Sequence, residues 1–567
     1  MLVEANRHLG GSAGSNCKEA VAVVSLRRFS YPAALAAVVL ALSACTGSAT
    51  GSTSDGSAKV AEGVSSGKFG GQQLALGDPV KGGKLTWGIW MPIQALDPAG
   101  SMGDSILLAM SSIYGTLMKA QPDGSVAAGL ANSFETTDNV VWTMKLDPKL
   151  TFTDGTPFDA KAVITHLKNV AAQGSTSTQA ADARRIVDMQ APDSYTVVFT
   201  LKAPDNQFDL NFTDGSMGMI PSPTAKEAAG ADFATRPVGA GPFKVESFAP
   251  GSQVVLTKNA DYKFASDGLP YLDQVTLRTV PEQTSRVDGV LAHDLDGGTV
   301  ASLPALNDAR NAGALGLEEP VHSAYYLILN NQNKLLSDVR VRTALNEAVD
   351  REAINQVVYK GLHKPMTGLL APSNPYADKD GGWPSFNLKH AQQLMDEYRK
   401  DTGANGLELT VTAVPGGESA QVAPLIQQML GQLGIKVNVE TVDQTAAVGK
   451  FASGKFDATL VTRTIQSETT TALSQYFGTG STRNWSRTSI PEFDKLAQEA
   501  AAAPTSKDRL ARIPDMLQVL ARNVVAVPIV SAGAGRVLGK NIAGFPDGDP
   551  TSKTIERFDL SRVWVKH

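Results

Sequence analysis

Cysteine is nearly absent from this chain of 567 residues, which contains only Cys17 and Cys45. Its stability must therefore come from a buried core, which a chain of this length can form without disulfides. An excess of positive charge is also missing, since the formal net charge is −5 at pH 7. This mild acidity gives no support for nucleic-acid binding. The content of hydrophobic residues, 42%, is typical of a globular protein.

Long apolar runs are missing after Cys45, so no later segment is long enough to span a membrane. The run from Tyr31 to Ala44 follows two arginines, and it is shorter than the roughly 20 residues that a bilayer core requires. A basic segment, a short apolar run and small residues at the cleavage site are, in this order, typical of a secretion signal. We therefore predict that residues 1–44 are a signal peptide.

The segment Leu42–Cys45 resembles the bacterial lipobox, in which the cysteine is lipidated and the preceding peptide is removed. The alternative is an ordinary signal peptide with a cysteine there by chance. We predict lipidation of Cys45, because it stands where the small-residue cleavage site ends. The lipid would hold an exported protein on the outer face of the cell membrane. Residues 45–81 are rich in glycine and serine and are predicted to form a flexible, lipidated tether.

Catalytic and metal-binding patterns are missing as well. The seven histidines are dispersed, with no pair at the spacing of a metal site, and no phosphate-binding or dinucleotide fingerprint is present. The best catalytic candidate is GDSI at residues 103–106, which resembles the nucleophile block of GDSL-type hydrolases. An Asp104–Ser105 pair ahead of a helix is more often a cap. We predict that the chain is not an enzyme and holds no cofactor or metal.

Apolar periodicity predicts an α/β protein. In residues 84–89, apolar side chains alternate with polar or small ones, as in a half-buried strand. Asp159 and Asp350 each stand where they can cap a helix. Residues 407–439 show a strand, a helix and a second strand in succession. This order predicts a right-handed crossover and a parallel sheet.

Several blocks of sequence, in their order along the chain, are similar to those of one family. They include ALDP at 95–98, PDGSVAAGLANSFETTDNVVWTMKLDPKLTFTDGTPFDAKAV at 122–163, VGAGPFKVESFAPGSQVVLTKNADY at 238–262, YYLILNNQNKLLSDVRVRTALNEAVDREAI at 325–354, and IQQMLGQLGIKVNVE at 426–440. With these blocks the chain resembles the family 5 extracellular solute-binding proteins, the peptide- and nickel-type receptors of ABC importers. The similarity runs from about Gly82 to at least Ile529.

That resemblance implies an α/β, two-lobe periplasmic-binding-protein-like fold (type II, cluster C) with an inserted third domain. The expected segments are residues 82–113, 236–320 and 522–567 for lobe I, 114–235 for extra domain II, and 321–521 for lobe III. The resemblance also implies that peptides or peptide-like solutes bind in the inter-lobe cleft, which closes around them. The implied partners are ABC permease subunits with their ATPases, and the implied state is a monomer.

Candidate ligand residues follow from the same resemblance. In peptide-binding members an Asp after the strand that here reads FDATLV pairs with the peptide's amino group, and a Trp typically precedes it. Here Arg463 stands at about the Trp position, Gln466 at about the Asp position, and Glu468 follows. Glu468 is thus a candidate partner for an amine, and Arg463 for a carboxylate or phosphate. The alternative is that either residue forms a rim salt bridge of little energetic value.

Four aromatic residues are further candidates for contact with the solute: Trp90, Tyr325, Tyr326 and Trp485. The two tyrosines lie in the strand where oligopeptide-binding members carry an acidic residue, which Ile328 replaces here. The alternative is that each aromatic side chain packs in a core. A sugar or an anionic solute is an alternative ligand. A lipoprotein that serves signalling or the envelope without transport is a further alternative function.

Overall fold

The computed structural model describes residues 78–100, 103–121, 125–319, 321–377, 382–414, 417–465, 469–545 and 558–566. The predicted signal peptide, Cys45, most of the predicted tether, Gln466 and Glu468 lie outside the described residues. Within the described part of the chain, no helix is both long enough and apolar enough to cross a bilayer.

Strands and helices are numbered separately in chain order. The strands are β1 (Lys84–Ile89), β2 (Met118–Ala120), β3 (Val126–Ala128), β4 (Ala131–Thr136), β5 (Val141–Leu146), β6 (Ile186–Asp193), β7 (Thr196–Leu201), β8 (Phe243–Ala249), β9 (Gln253–Lys258), β10 (Gln274–Thr279), β11 (Gly297–Val300), β12 (Leu315–Glu319), β13 (Ser323–Leu329), β14 (Glu408–Ala413), β15 (Lys436–Thr441), β16 (Ala458–Thr464), β17 (Ala526–Ser531), β18 (Ala534–Leu538), β19 (Ile542–Ala543) and β20 (Trp564–Val565). The helices are α1 (Asp104–Tyr114), α2 (Ala160–Ala171), α3 (Ala180–Ala183), α4 (Gly215–Gly218), α5 (Pro223–Ala229), α6 (Gln283–Leu291), α7 (Leu303–Asn311), α8 (Val339–Ala348), α9 (Arg351–Tyr359), α10 (Leu388–Thr402), α11 (Gly417–Gly431), α12 (Gln444–Ser453), α13 (Thr469–Phe477), α14 (Pro491–Ala501), α15 (Ser506–Leu510) and α16 (Ile513–Asn523).

The first sheet has seven strands in the order β12-β18-β11-β1-β10-β9-β8. Its central strand β1 pairs in parallel with β10 and β11. The predicted alternation in β1 is confirmed, because Leu85, Trp87 and Ile89 are all buried. The ring of Trp87 packs against Phe558 at 4.8 Å and against Phe545 at 5.6 Å. Residues near the end of the chain therefore complete the core of its first strand.

A second, four-stranded sheet lies between β1 and β8 in the sequence and has the order β4-β5-β7-β6. Its core is aromatic: the ring of Phe134 lies 5.0 Å from that of Phe212 and 5.4 Å from that of Phe199. Helix α2 packs against this core and is capped by Asp159, whose carboxylate accepts a hydrogen bond from the Ala162 amide at 2.8 Å. The cap predicted at this position is therefore confirmed.

The third sheet has five strands in the order β15-β14-β16-β13-β17. Strands β14 and β15 are joined by α11 and pair in parallel, so the parallel pairing predicted for this segment is confirmed. Side chains of β13 alternate between two cores, with Leu327 and Leu329 on one face and Ile328 on the other. The predicted cap of α9 is also confirmed, since Asp350 accepts from the Ala353 amide at 2.9 Å.

The chain crosses between the first and third sheets twice: between Glu319 and Ser323 on the way out, and between Ser531 and Ala534 on the way back. The sequence placed residues from 522 onward in the first lobe, whereas β17 is a strand of the third sheet. The return crossing therefore lies about ten residues later, because β17 pairs along β13 before the chain leaves.

A buried ion pair joins the strands at these crossings. The guanidinium of Arg536, on β18, pairs with the carboxylate of Glu319, the last residue of β12. Arg536 is fully buried, and its guanidinium carbon lies 4.6 Å from the centre of the Phe558 ring. The Glu319 carboxylate compensates the positive charge of Arg536, whose burial without an acidic neighbour would cost free energy.

Candidate functional site

Strand directions place the ends of two sheets opposite each other at the crossings. In the first sheet β10 and β11 run parallel to β1, and β12 runs parallel to β11 because both are antiparallel to β18. All four strands therefore end at the edge where β12 leaves for the third sheet. In the third sheet β14, β15 and β16 are mutually parallel, and β16 ends beside Ser323, where β13 begins. Carboxyl ends of parallel strands thus line both walls of one crevice, the usual location for ligands in α/β proteins.

Arg463 lies at the crevice end of β16, where it pairs across the sheet with Ala324. Its guanidinium carbon lies 4.4 Å from the ring centre of Tyr476 and 4.1 Å from that of Trp485. The side chain is 7% exposed, and its buried Nε has no hydrogen-bond partner. Burial lowers the pKa of Arg463 to about 10, so the group remains charged at neutral pH. The two rings hold this cation by cation–π attraction.

Trp485 is fixed by its own neighbours as well as by Arg463. Its ring lies 4.7 Å from that of Phe451, in α12. Trp485 is partly exposed, so it closes one side of the Arg463 site without being a core residue. The sequence proposed Arg463 and Trp485 as separate candidates, and the structure brings them into contact. Tyr476, the second ring in contact with Arg463, was not predicted as a site residue.

Tyr325 and Tyr326 lie on opposite faces of β13, because successive side chains of a strand alternate. Tyr326 is buried, and its hydroxyl donates to the Leu369 carbonyl at 2.6 Å. Tyr325 is also buried, on the other face, and its hydroxyl lies beside Ser419 and Glu418. A single group of the solute on one face of the sheet therefore cannot contact both tyrosine rings.

Trp90 directly follows β1 at the crevice edge of the first sheet and is 36% exposed. It stands on the wall opposite Arg463 by the strand directions given above. Exposure of a large ring at this edge distinguishes Trp90 from Trp87, which is buried in the core of the same strand.

An unpredicted polar cluster lies at the end of β14, on the side of the third sheet away from Arg463. Glu418, in the first turn of α11, adjoins the hydroxyls of Tyr325 and Tyr359. Burial raises the pKa of Glu418 to about 7, against a smaller opposing effect of the Tyr359 hydroxyl. The Tyr359 ring lies 4.2 Å from the ring of His363. The available sequence signal was weak: one acidic residue after the sequence Pro-Gly-Gly.

The inserted four-stranded part of the chain contacts the helices of the third sheet. In the loop after β7, Asn206 bonds to the Ala503 carbonyl and to Arg509. The neighbouring Gln207 accepts from the Thr471 hydroxyl at 2.9 Å. These bonds connect the inserted part of the chain to the helices of the third sheet.

Other parts of the described chain give less indication of chemistry. No group of three or more His, Cys, Asp or Glu suited to a metal ion occurs among the described residues. Ser105 is buried, and its hydroxyl accepts a hydrogen bond from the Met91 amide at 3.0 Å. A cavity of about 300 Å³ beside the first sheet is lined by Lys119, Tyr262 and Asp559 and contains none of the predicted site residues.

Comparison with known proteins gives the family. Residues 125–485 match the model of the bacterial extracellular solute-binding proteins, family 5. The glutathione-binding protein GsiB of Shigella flexneri is 29% identical over 354 residues, which are 61% of this chain and 67% of that protein.

Solved structures share the fold at lower identity. The oligopeptide-binding protein AppA from Bacillus subtilis, in complex with a nonapeptide, superposes with a TM-score of 0.71 at 22% identity, covering 86% of this chain and all of that one. NikA from Brucella suis, in complex with Fe(III)-EDTA, gives 0.74 at 22% identity over 85% of this chain and all of that one. The α/β fold is therefore that of the periplasmic binding proteins. The chain belongs to family 5 of the bacterial extracellular solute-binding proteins.

Proposed function

We propose that the chain is the extracytoplasmic receptor of an ABC importer, and that it binds peptides or peptide-like solutes in the crevice between its two larger sheets. The observation that carries the proposal is the arrangement of the two sheets, whose parallel strands end opposite each other on either side of paired crossings. Such a pair of crossings suits hinge closure around a ligand. The chain's place in family 5 supports the same role.

The solute class is supported by what similar proteins bind. Relatives include a glutathione-binding protein, and solved structures of the same fold hold a nonapeptide in one case and the peptide STSA in another. Structures of this fold also hold Fe(III)-EDTA and agropinic acid, so the fold by itself does not select peptides. The choice of peptides as the first class to test therefore rests on the sequence relatives.

Arg463 is the proposed anchor for a carboxylate of the solute. Among the described residues no carboxylate contributes to its electrostatic surroundings, which consist of Tyr476, Tyr326 and Arg483. A buried guanidinium with no acidic partner among the described residues gains most from a ligand that brings one, since its planar fork matches a carboxylate. An anionic solute other than a peptide is the second candidate, and Arg463 favours it over a neutral sugar. Trp90 and Trp485 are proposed to contact the solute from the two walls.

The division into domains follows the sheets. We assign the seven-stranded sheet to lobe I, the four-stranded sheet to an extra domain II within residues 114–235, and the five-stranded sheet to lobe III, which runs from 323 to 531. The protein is proposed to act as a monomer that delivers solute to permease subunits with their ATPases. It is proposed to have no catalytic activity.

A lipid on Cys45 is proposed to retain the receptor at the outer face of the cell membrane, with residues 45–81 as its tether. Replacing Cys45 by Ala in the producing cell should release the protein from the membrane fraction into the medium. Equal membrane retention of C45A would contradict the anchor.

Native mass spectrometry of the protein, purified without denaturant, tests the receptor function. We expect a solute enclosed by the closed crevice to stay bound through purification, so an added mass that fragments as a peptide is the expected result. A single anionic mass would favour the second candidate. A bare protein, which no peptide or anion in a solute panel stabilises against heat, would contradict transport and favour a role in signalling or in the envelope.

A further inference from the structure

We propose that His363 makes closure of the crevice sensitive to pH: protonation of its imidazole favours the open form of the receptor and weakens solute binding. The inference rests on the proposed receptor function and adds a means by which that function is regulated. His363 lies in the turn that follows α9, which ends at Tyr359. This turn, residues 360–364, packs beside the two crossings between the first and third sheets.

The turn is bonded to the strand end from which the chain returns to the first sheet. Nδ1 of His363 lies 2.6 Å from the carbonyl oxygen of Ser531, the last residue of β17. The adjacent Lys364 accepts from the Ser531 amide at 2.8 Å, and its own amide donates to the Ser531 hydroxyl at 3.1 Å. The next residue, Ala532, donates its amide to the Ser323 carbonyl at 2.8 Å. The turn, the return crossing and the start of β13 are therefore linked in series.

The same turn also reaches the part of the chain that surrounds the first sheet. Leu362 and Lys364 line a small cavity together with Glu318 of β12. The Lys360 Nζ lies 3.4 Å from the Asp308 Oδ2, in α7. A rotation of the two larger sheets about the crossings therefore has to move this turn relative to β12 and α7.

The contact with Ser531 determines which nitrogen of the His363 ring carries the proton. A carbonyl oxygen can only accept, so Nδ1 is the donor and, in the neutral ring, Nε2 is an acceptor. Nε2 is buried without a hydrogen-bond partner among the described residues, and the whole side chain is only 4% exposed. A second proton would place an N–H and a positive charge at a position without an acceptor, which costs free energy. The observed arrangement therefore favours neutral histidine.

The charged and titratable groups that face His363 come from several elements. The Tyr359 ring, in α9, lies 4.2 Å from the imidazole ring, and its hydroxyl adjoins Glu418 of α11. Glu318 of β12 attracts the charged imidazole, but this carboxylate already pairs with Arg310 at 2.9 Å. Burial outweighs that attraction and lowers the pKa of His363 below its ordinary value. The surroundings therefore do not compensate a charge on the ring.

The direction of the pH effect follows from this difference between the two forms. Opening moves the turn away from β12 and admits water to the ring, so the pKa of His363 returns toward about 6.5. A group that binds its proton more tightly in the open form shifts the population toward that form as the pH falls. Full affinity is therefore expected above pH 6.5, with a loss as the pH falls toward the lowered pKa. For one such group the loss between pH 7 and pH 5.5 is up to about eightfold.

A tryptic digest of casein serves as the probe, because the solute is not identified. Wild-type protein is incubated with a subsaturating amount of the digest at pH 7 and at pH 5.5, and the peptides retained through gel filtration are quantified by mass spectrometry. Small-angle scattering without added peptide gives the radius of gyration at the same two pH values. Both measurements are repeated on His363→Gln, whose amide can donate to the Ser531 carbonyl but cannot titrate. His390→Gln is the matched control, because His390 is largely exposed beside Glu347.

We expect wild type and H390Q to retain up to about eightfold less peptide at pH 5.5 than at pH 7, and to have a larger radius of gyration at the lower pH. H363Q should show neither change, and circular dichroism checks that it folds as wild type does. His322 and Glu418 also have shifted pKa values and lie near the crevice. His322→Gln and Glu418→Gln should nevertheless keep the response to acid.

The outcomes separate this inference from the receptor function. A response of H363Q equal to that of wild type, or a loss of the response in H322Q or E418Q instead, would overturn the assignment to His363. Unchanged retention and an unchanged radius in wild type between the two pH values would overturn it without any variant. Retention of no peptide by wild type at pH 7 would contradict peptide binding, and the radius of gyration would then decide the inference by itself.

Discussion

Asn206 and Arg509 join the inserted four-stranded part of the chain to the helical layer of the third sheet through one side-chain amide. The Asn206 Oδ1 accepts from Arg509 at 2.8 Å, and its Nδ2 donates to the Ala503 carbonyl at 2.8 Å. Asn206 belongs to the loop after β7, whereas Ala503 and Arg509 belong to the helical layer of the third sheet. Any opening of the crevice that separates these layers has to break both bonds.

Replacing Asn206 by Ala should therefore shift the solute-free protein toward an open form. Two hydrogen bonds contribute on the order of 1–3 kcal/mol net, which changes the ratio of closed to open molecules by about fivefold to a hundredfold. Small-angle scattering should report a larger radius of gyration for N206A. The control is Asn405→Ala, since Asn405 is exposed and its side-chain amide donates to the nearby Gly403 carbonyl. An unchanged radius for N206A would show that this contact does not hold the crevice closed.

Replacing Arg463 by Lys should weaken the binding of a carboxylate-bearing solute by about tenfold or more. Lysine keeps the charge but loses both the planar fork and the stacking between Tyr476 and Trp485. Calorimetric titration with the solute recovered from the wild-type protein measures the change. Arg483→Lys serves as the control, because Arg483 is exposed. Equal affinities for wild type and R463K would rule out Arg463 as the anchor.

Replacing Glu319 by Gln should destabilise the protein by about 3–5 kcal/mol, because it removes a charged partner of the fully buried Arg536. Urea unfolding at pH 7 gives the free energy of unfolding. Glu492→Gln is the comparison, since its pair with Arg522 is exposed and should contribute less than about 1 kcal/mol. Similar small losses in both variants would mean that the ion pair between Glu319 and Arg536 is not a stabilising contact.

His166 should make the protein sensitive to acid. It is buried in α2, its Nε2 lies 2.7 Å from the Ser216 carbonyl, and burial lowers its pKa to about 4. The folded chain therefore excludes a proton that the unfolded chain binds below its ordinary pKa of about 6.5. Stability from this group is fully present above pH 6.5 and is lost as the pH falls toward 4, by up to about 3 kcal/mol.

Urea unfolding at pH 7 and pH 4.5 checks this expectation. His166→Gln keeps a donor for the Ser216 carbonyl but cannot titrate, so it should lose less stability than wild type between the two pH values. His390→Gln is the control, because His390 is largely exposed beside Glu347. Identical pH dependence of H166Q and wild type would exclude His166 as the acid-sensitive group.

Much of the fold was predictable because it follows from local patterns. Alternation in β1, the caps at Asp159 and Asp350, and the parallel crossover from β14 to β15 all depend on residues close together in the chain. The return crossing was placed too early because the assignment of β17 depends on pairing with β13, about 200 residues away. The sequence of β17 by itself does not indicate which sheet the strand joins.

The site was less predictable for a similar reason. Arg463 and Trp485 were chosen by their positions relative to one strand, and their contact depends on Phe451 and Tyr476 from two helices. Glu418 was missed because one acidic residue in a helix start is common in any sequence. Its distinguishing feature is burial beside Tyr325 and Tyr359, which only the folded chain brings together. Trp90 was predicted from its loop position, and its contact with solute is still a prediction.

The arrangement of strand ends around the crevice also bears on how such a receptor changes its ligand during evolution. The hydrophobic cores lie on the faces of the sheets, whereas the crevice is lined by the residues that follow the strands. A substitution after a strand end can therefore alter recognition without removing a core side chain. The residues that determine specificity therefore differ from those that stabilise the fold. A receptor of this design can acquire a new ligand through few substitutions while its free energy of unfolding stays nearly constant.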